Sequence, residues 1–115
     1  LMTATKDDTI DNLRKAISHF VAERHWEPFQ TPKNLAMAMI VEAAELVEEF
    51  QWLTEEESQK LDGQKRQAVS DELADVLIYL IHLADSLEID LLQAAHEKTE
   101  RNKEKYPATT PSLDL

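Results

Sequence analysis

The chain has no cysteine, one glycine and four prolines in 115 residues. Without cysteine, neither a disulfide nor a thiolate metal site can form. The lack of disulfides fits a protein of the reducing cytoplasm, and a cytoplasmic location is expected. The single glycine, Gly63, rules out a P-loop or a dinucleotide-binding fingerprint, which need several. So few breakers favour long helices over a many-stranded β fold. No apolar run reaches the roughly 18 residues of a membrane-spanning helix. The first residues show no basic stretch leading into an apolar one, so no signal peptide is expected. Basic residues are also scarce, with 12 Lys and Arg against 23 Asp and Glu and a net charge of −11. Nucleic-acid backbones and anionic membrane surfaces both recruit Lys and Arg, and neither is an expected partner.

What is present reads as helix. Hydrophobic residues make up 43% of the chain, enough for one core. A single domain is expected over residues 1–107, with a loose tail over 108–115 once Pro107 stops the last helix. The first helix should run from about Thr9 to Arg24, with Asp7 and Asp8 near its cap and a stripe of Ile10, Leu13, Ile17, Phe20 and Val21. A loop from His25 to Pro32 carries Trp26 and Phe29. The second helix should start at Pro32 and reach about Trp52, with Leu35, Met39, Leu46, Phe50 and Leu53 on its apolar stripe. Thr54 and Glu57 form a capping box for a short further turn, and Asp62-Gly63 reads as a turn. The third helix should run from about Gln64 to Leu87, and the fourth from a cap at Asp90 to about Lys105. The expected fold is an all-α bundle of four main helices. From Val76 to Ala84 the third helix is apolar nearly all round, more than a four-helix monomer buries. Completion of the bundle by oligomerisation is therefore expected.

Four acids break this pattern. Glu42 and Glu45 on the second helix, and Glu72 and Asp75 on the third, each have i, i+3 spacing and project from one helix face. Glu42 falls on the apolar stripe between Met39 and Leu46. Acids gathered at the edge of a core repel one another and lose solvation, so they need a positive partner. A hard divalent cation with oxygen ligands is the simplest one, and Mg²⁺ or Mn²⁺ suits carboxylates better than Zn²⁺ does. The natural companion of such a site is a phosphate chain. A di-iron carboxylate bundle would need Glu-x-x-His pairs. None of His19, His25, His82 or His96 has Glu three residues earlier, and there is no HExxH and no EF-hand loop. The competing reading is a solvated acidic face on a non-catalytic helical module that binds a basic partner. Glu49 shares the Glu42 face and reads as a solvated acid or one standing behind the metal ligands, rather than as a ligand itself. His82, which continues the polar strip Glu72, Asp75, Tyr79, reads as a satisfied interior or interface histidine.

The residues also resemble a known family. The matching stretches are Glu23-Arg24-His25-Trp26, Thr31-Pro32-Lys33-Asn34-Leu35, Glu42-Ala43-Ala44-Glu45-Leu46 to Phe50-Gln51-Trp52, and Asp71-Glu72-Leu73-Ala74-Asp75 to Leu80. Lys98, Asn102 and Tyr106-Pro107 complete them. Together they resemble the MazG-like all-α nucleoside triphosphate pyrophosphohydrolases, most closely their dCTP pyrophosphatase branch. The resemblance implies Mg²⁺-dependent hydrolysis, with Mn²⁺ as a possible substitute, between the α and β phosphates of a (deoxy)nucleoside triphosphate in nucleotide-pool house-cleaning. It makes Glu42, Glu45, Glu72 and Asp75 the metal-binding and catalytic acids. Trp26, Trp52 and Tyr79 become candidates for a base pocket, and Lys98, Asn102 and, at a helix start, Lys33 candidates near the substrate. It implies a homodimer or homotetramer with sites between subunits. Another diphosphate-linked substrate, such as a phosphoribosyl-ATP, is the alternative within the same chemistry. Ile17 stands where relatives of the dCTP branch carry a pocket histidine, and His19 faces elsewhere, so base selectivity stays open.

Overall fold

The computed structural model describes residues 8–109, and all regular structure among them is helical. Helix α1 spans Ile10–Glu23, α2 Pro32–Phe50, α3 Glu55–Gln59, α4 Gly63–Ser86 and α5 Leu91–Lys105, with a 3₁₀ turn at Glu27–Phe29 between α1 and α2. The four main helices of the sequence reading are α1, α2, α4 and α5, and α3 is the short element begun by the capping box.

Each helix starts on a side chain that accepts an otherwise unpaired backbone N–H. Thr9 accepts from Asn12 at 3.1 Å, Thr31 from Asn34 at 3.3 Å, Asp62 from Lys65 at 2.7 Å and Asp90 from Gln93 at 3.0 Å. Thr54 and Glu57 cap each other reciprocally at 3.1 and 2.9 Å. Two details differ from expectation. The α1 cap is Thr9 rather than Asp8, and Asp7 lies outside the described residues. Asp62-Gly63 is the start of α4 rather than a free turn.

The scarcity of glycine shows at the helix ends. His25 and Glu88 both sit at φ 56°, the left-handed conformation that glycine usually supplies at this position. After α1, the His25 N–H donates to Ala22 and the Trp26 N–H to Val21; after α4, Glu88 donates to Asp85 and Ile89 to Ala84. Both are Schellman closures made without glycine. The first reverses the chain so that Trp26 folds back over α1.

Helix α4 is the hub, with α2 along one side and α1 along another. Ile17 and Val21 of α1 meet Ile81 of α4, joined by Ile10, Leu13 and Leu91. Leu35 of α2 and Val69 and Ala84 of α4 are also buried. Lys65 on α4 pairs with Glu49 on α2 at 3.0 Å, and Arg14 on α1 with Asp85 on α4 at 3.2 Å. Glu49 is thus a partner of Lys65, not a free acid.

Helix α2 is apolar on two opposite sides. One side buries Leu35 and half-buries Met39, Glu42, Leu46 and Phe50. The other carries Met37, Ile40, Val41 and Val47, all more than half exposed. On α4, Leu73, Leu77 and Ile78 are also exposed. The all-round apolar character of the third helix is therefore not used up within one chain. Helix α5 has no fully buried residue and anchors on the core through Leu91.

Candidate metal centre and adjoining pocket

The pairing of α2 with α4 brings the acids together. Carboxylate oxygens of Glu42, Glu45 and Glu72 all lie within 4.8 Å of one another. Glu42 and Glu72 are half-buried and Glu45 is exposed. The Oε2 atoms of Glu42 and Glu72 are buried without a hydrogen-bond partner. Unsolvated anionic oxygens at this separation are strongly unfavourable. The effect on titration follows. Loss of solvation, then contact with Glu42 and Glu45, pushes the Glu72 carboxyl up to about 7. Glu42 is also raised, first by desolvation and further by the charges of Glu45 and Asp75, although its contact with Glu72 works the other way. The two titrate as one unit, and protonation of the pair relieves the repulsion.

Asp75 lies one turn beyond Glu72. It stands outside the tight group of three but is close enough for its charge to raise Glu42. An all-carboxylate set with orphaned buried oxygens fits a hard divalent cation, and these acids can bind a metal.

Asp75 also opens onto a cavity of about 370 Å³ between α1, the following loop and α4. Its apolar wall includes Ile17, Phe20 and Ile78, and its polar groups are Gln30, Tyr79 and His82 besides Asp75. Trp26 stands at its edge, 43% exposed. The Trp26 ring meets Phe20 edge-to-face, with centroids 5.6 Å apart and planes at 73°. The Arg24 guanidinium covers Phe20 at 3.6 Å, so Phe20 is held between a cation and the edge-to-face indole.

The other sequence-predicted residues lie elsewhere. Trp52, just past α2, is 86% exposed. Lys33 is exposed in the first turn of α2, Lys98 is exposed on α5 and Asn102 is half-buried there. None of the four lines the cavity that holds Trp26 and Tyr79. Neither Lys33 nor Lys98 has an ion pair among the described residues. His19 pairs with Glu23 on the outer face of α1, away from the pocket. Of the polar pocket residues, Gln30 went unread in the sequence, and His82 departs from its expected state. Gln30 sits in a loop with no periodicity to reveal it. His82 was visible as the end of the strip Glu72, Asp75, Tyr79, but its Nδ1 is buried without a partner rather than satisfied.

Against known proteins, the MazG-like family matches residues 37–112. The chain is 41% identical over 103 residues to mouse dCTP pyrophosphatase 1, covering 88% of this chain and 61% of that one. It is 41% identical over 104 residues to the human dCTP pyrophosphatase 1, covering 89% and 61%. The chain thus spans less than two thirds of the length of these relatives. Among solved structures, a pyrophosphatase from Archaeoglobus fulgidus superposes with a TM-score of 0.82 at 36% identity, covering 93% of this chain and 100% of that one.

Proposed function

The chain belongs to the MazG-like family, and we propose that it acts as a nucleoside triphosphate pyrophosphohydrolase, converting a (d)NTP and water to the (d)NMP and pyrophosphate. The observation that carries this reading is the double placement of Asp75. One carboxylate borders both the acidic group and the aromatic-edged cavity. A ligand spanning the two would have a phosphate chain at one end and a flat heterocycle at the other, which describes a nucleotide.

Glu42, Glu45, Glu72 and Asp75 would hold the cation, with Mg²⁺ as the resident ion and Mn²⁺ as a substitute. When bound, the cation neutralises triphosphate charge and makes phosphorus more electrophilic. Trp26 offers an aromatic face for the base, with Tyr79 beside it. A carboxylate of the group accepts the proton of the attacking water. The water oxygen bonds to the α-phosphorus, the α–β anhydride bond breaks, and pyrophosphate leaves with the bonding pair. An acidic protein can bind a polyanion in this way only by placing cations among its acids.

The name of the mammalian relatives favours dCTP or a related deoxynucleotide as substrate, and we assign the activity to nucleotide-pool house-cleaning in the cytoplasm. We further assign the exposed face of α2 and α4 to a second copy of the chain, as a homodimer or a pair of dimers. Trp52, Lys33, Lys98 and Asn102 would then reach substrate in sites completed across that boundary. Incubation with a panel of nucleoside triphosphates, Mg²⁺ and a pyrophosphate-specific readout tests the proposal. Release from a deoxynucleotide supports it. Release only from a phosphoribosyl-ATP redirects it to that substrate, and release from nothing rejects it.

A further inference from the structure

We propose that His82 is the specificity-determining residue of the cavity, reading the polar edge of the nucleobase through its imidazole; this rests on the nucleotide reading above. Asp75, Tyr79 and His82 follow one another along α4 at spacings of four and three, and all three line the cavity. Asp75 and His82 are therefore two turns apart, about 10 Å along the helix axis. That is the order a nucleotide needs: phosphate end at Asp75, base face near Tyr79, base edge at His82. On the opposite wall the α1 residues Ala16, Ile17, Phe20 and Val21 are apolar, and only the following loop adds polar groups there, Gln30 and the Trp26 indole.

His82 Nδ1 is buried and has no hydrogen-bond partner. Buried polar atoms are nearly always paired, and an orphan is costly. A turn of the ring that brings Nδ1 to the cavity lets an occupant supply the partner and removes that cost, whereas an occupant that cannot supply one leaves it in place. A site of this kind discriminates more sharply than an apolar one. A neutral imidazole offers one donor and one acceptor, and the tautomer follows the partner. His82 can therefore meet either a ring nitrogen or carbonyl, or an exocyclic amino group. The ligand class is a nitrogen heterocycle with a hydrogen-bonding edge.

The test compares wild type, His82→Leu and His82→Asn on dCTP, dTTP, dUTP, dATP and dGTP with Mg²⁺. Asn keeps a hydrogen-bonding group close to the Nδ1 position. In His82→Leu, the kcat/KM ratio between the best and worst nucleotide should fall by about tenfold or more, mainly through KM. His82→Asn should recover part of it. Tryptophan fluorescence, with Trp26 at the same cavity, should show matching losses in binding of the preferred nucleoside alone. Thermal melts confirm that both variants fold. Variants that keep the wild-type ranking and ratio overturn the assignment, as does a wild type that does not discriminate among bases. In both cases wild-type pyrophosphate release would leave the proposed activity standing. A wild type that releases pyrophosphate from no nucleotide removes both proposals together.

Discussion

Glu42 and Glu72 face each other from α2 and α4, and each keeps one buried carboxylate oxygen with no hydrogen-bond partner. This pair is an electrostatically unfavourable contact and the centre of the protein's proposed chemistry. Replacing either with Gln removes a proposed cation ligand and a carboxylate. In Glu42→Gln or Glu72→Gln, pyrophosphate release should fall by about 100-fold or more. The same variants should melt higher than wild type in EDTA, since repulsion is relieved. A non-catalytic acidic module shares the second outcome but not the first, so activity and melting measured together separate the two.

The Glu72 carboxyl, raised from 4.5 to about 7, sets a pH dependence. Between those values the folded chain binds more protons than the unfolded chain, so stability falls as pH rises. The cation-free protein should lose stability between pH 4.5 and 7 through this group, and the loss should shrink in Glu72→Gln. A bound cation must displace the proton, so its affinity should climb as pH rises through about 7. Thermal melts with Mg²⁺ or Mn²⁺ should show a larger gain at pH 8 than at pH 6. At a free concentration of 100 times Kd the gain should be about 2.7 kcal/mol. Equal gains at both pH values would argue against proton displacement.

Glu88 holds φ 56° at the end of α4, with no glycine to relieve it. Glu88→Gly should stabilise the chain by about 0.5–1 kcal/mol, the left-handed penalty less the added freedom of the unfolded chain. Chemical denaturation measures this directly. The site lies far along α4 from the acids, so catalytic constants should not change.

Ile40 and Val47 are 64% and 61% exposed on the outer stripe of α2. The double substitution Ile40→Asp with Val47→Asp should turn the proposed homo-oligomer into monomers, as read by light scattering. Activity should fall with it if Trp52 and the α5 residues serve sites across the boundary. An unchanged assembly would move the interface elsewhere.

The helices were legible because apolar spacing and capping residues point the same way. Leu35, Met39, Leu46 and Phe50 mark a face, and Thr54 with Glu57 marks a start. The acid pairs were legible because Glu42 interrupts an apolar stripe. The cap of α1 was misplaced among neighbouring Asp and Thr residues, since the choice depends on backbone dihedrals that composition does not encode. His82 was placed on the right face, but periodicity cannot show whether a ring nitrogen finds a partner. The position of Trp26 depends on the Schellman reversal at His25, and a non-glycine residue there gives little local warning of it.

The most direct test is product analysis with dCTP, Mg²⁺ and ¹⁸O-labelled water. The account requires dCMP and pyrophosphate in equal amounts, with the label on dCMP, and loss of both products in EDTA. Orthophosphate with dCDP, or label found in pyrophosphate, would contradict attack at the α-phosphorus. No hydrolysis of any nucleotide would contradict the account altogether.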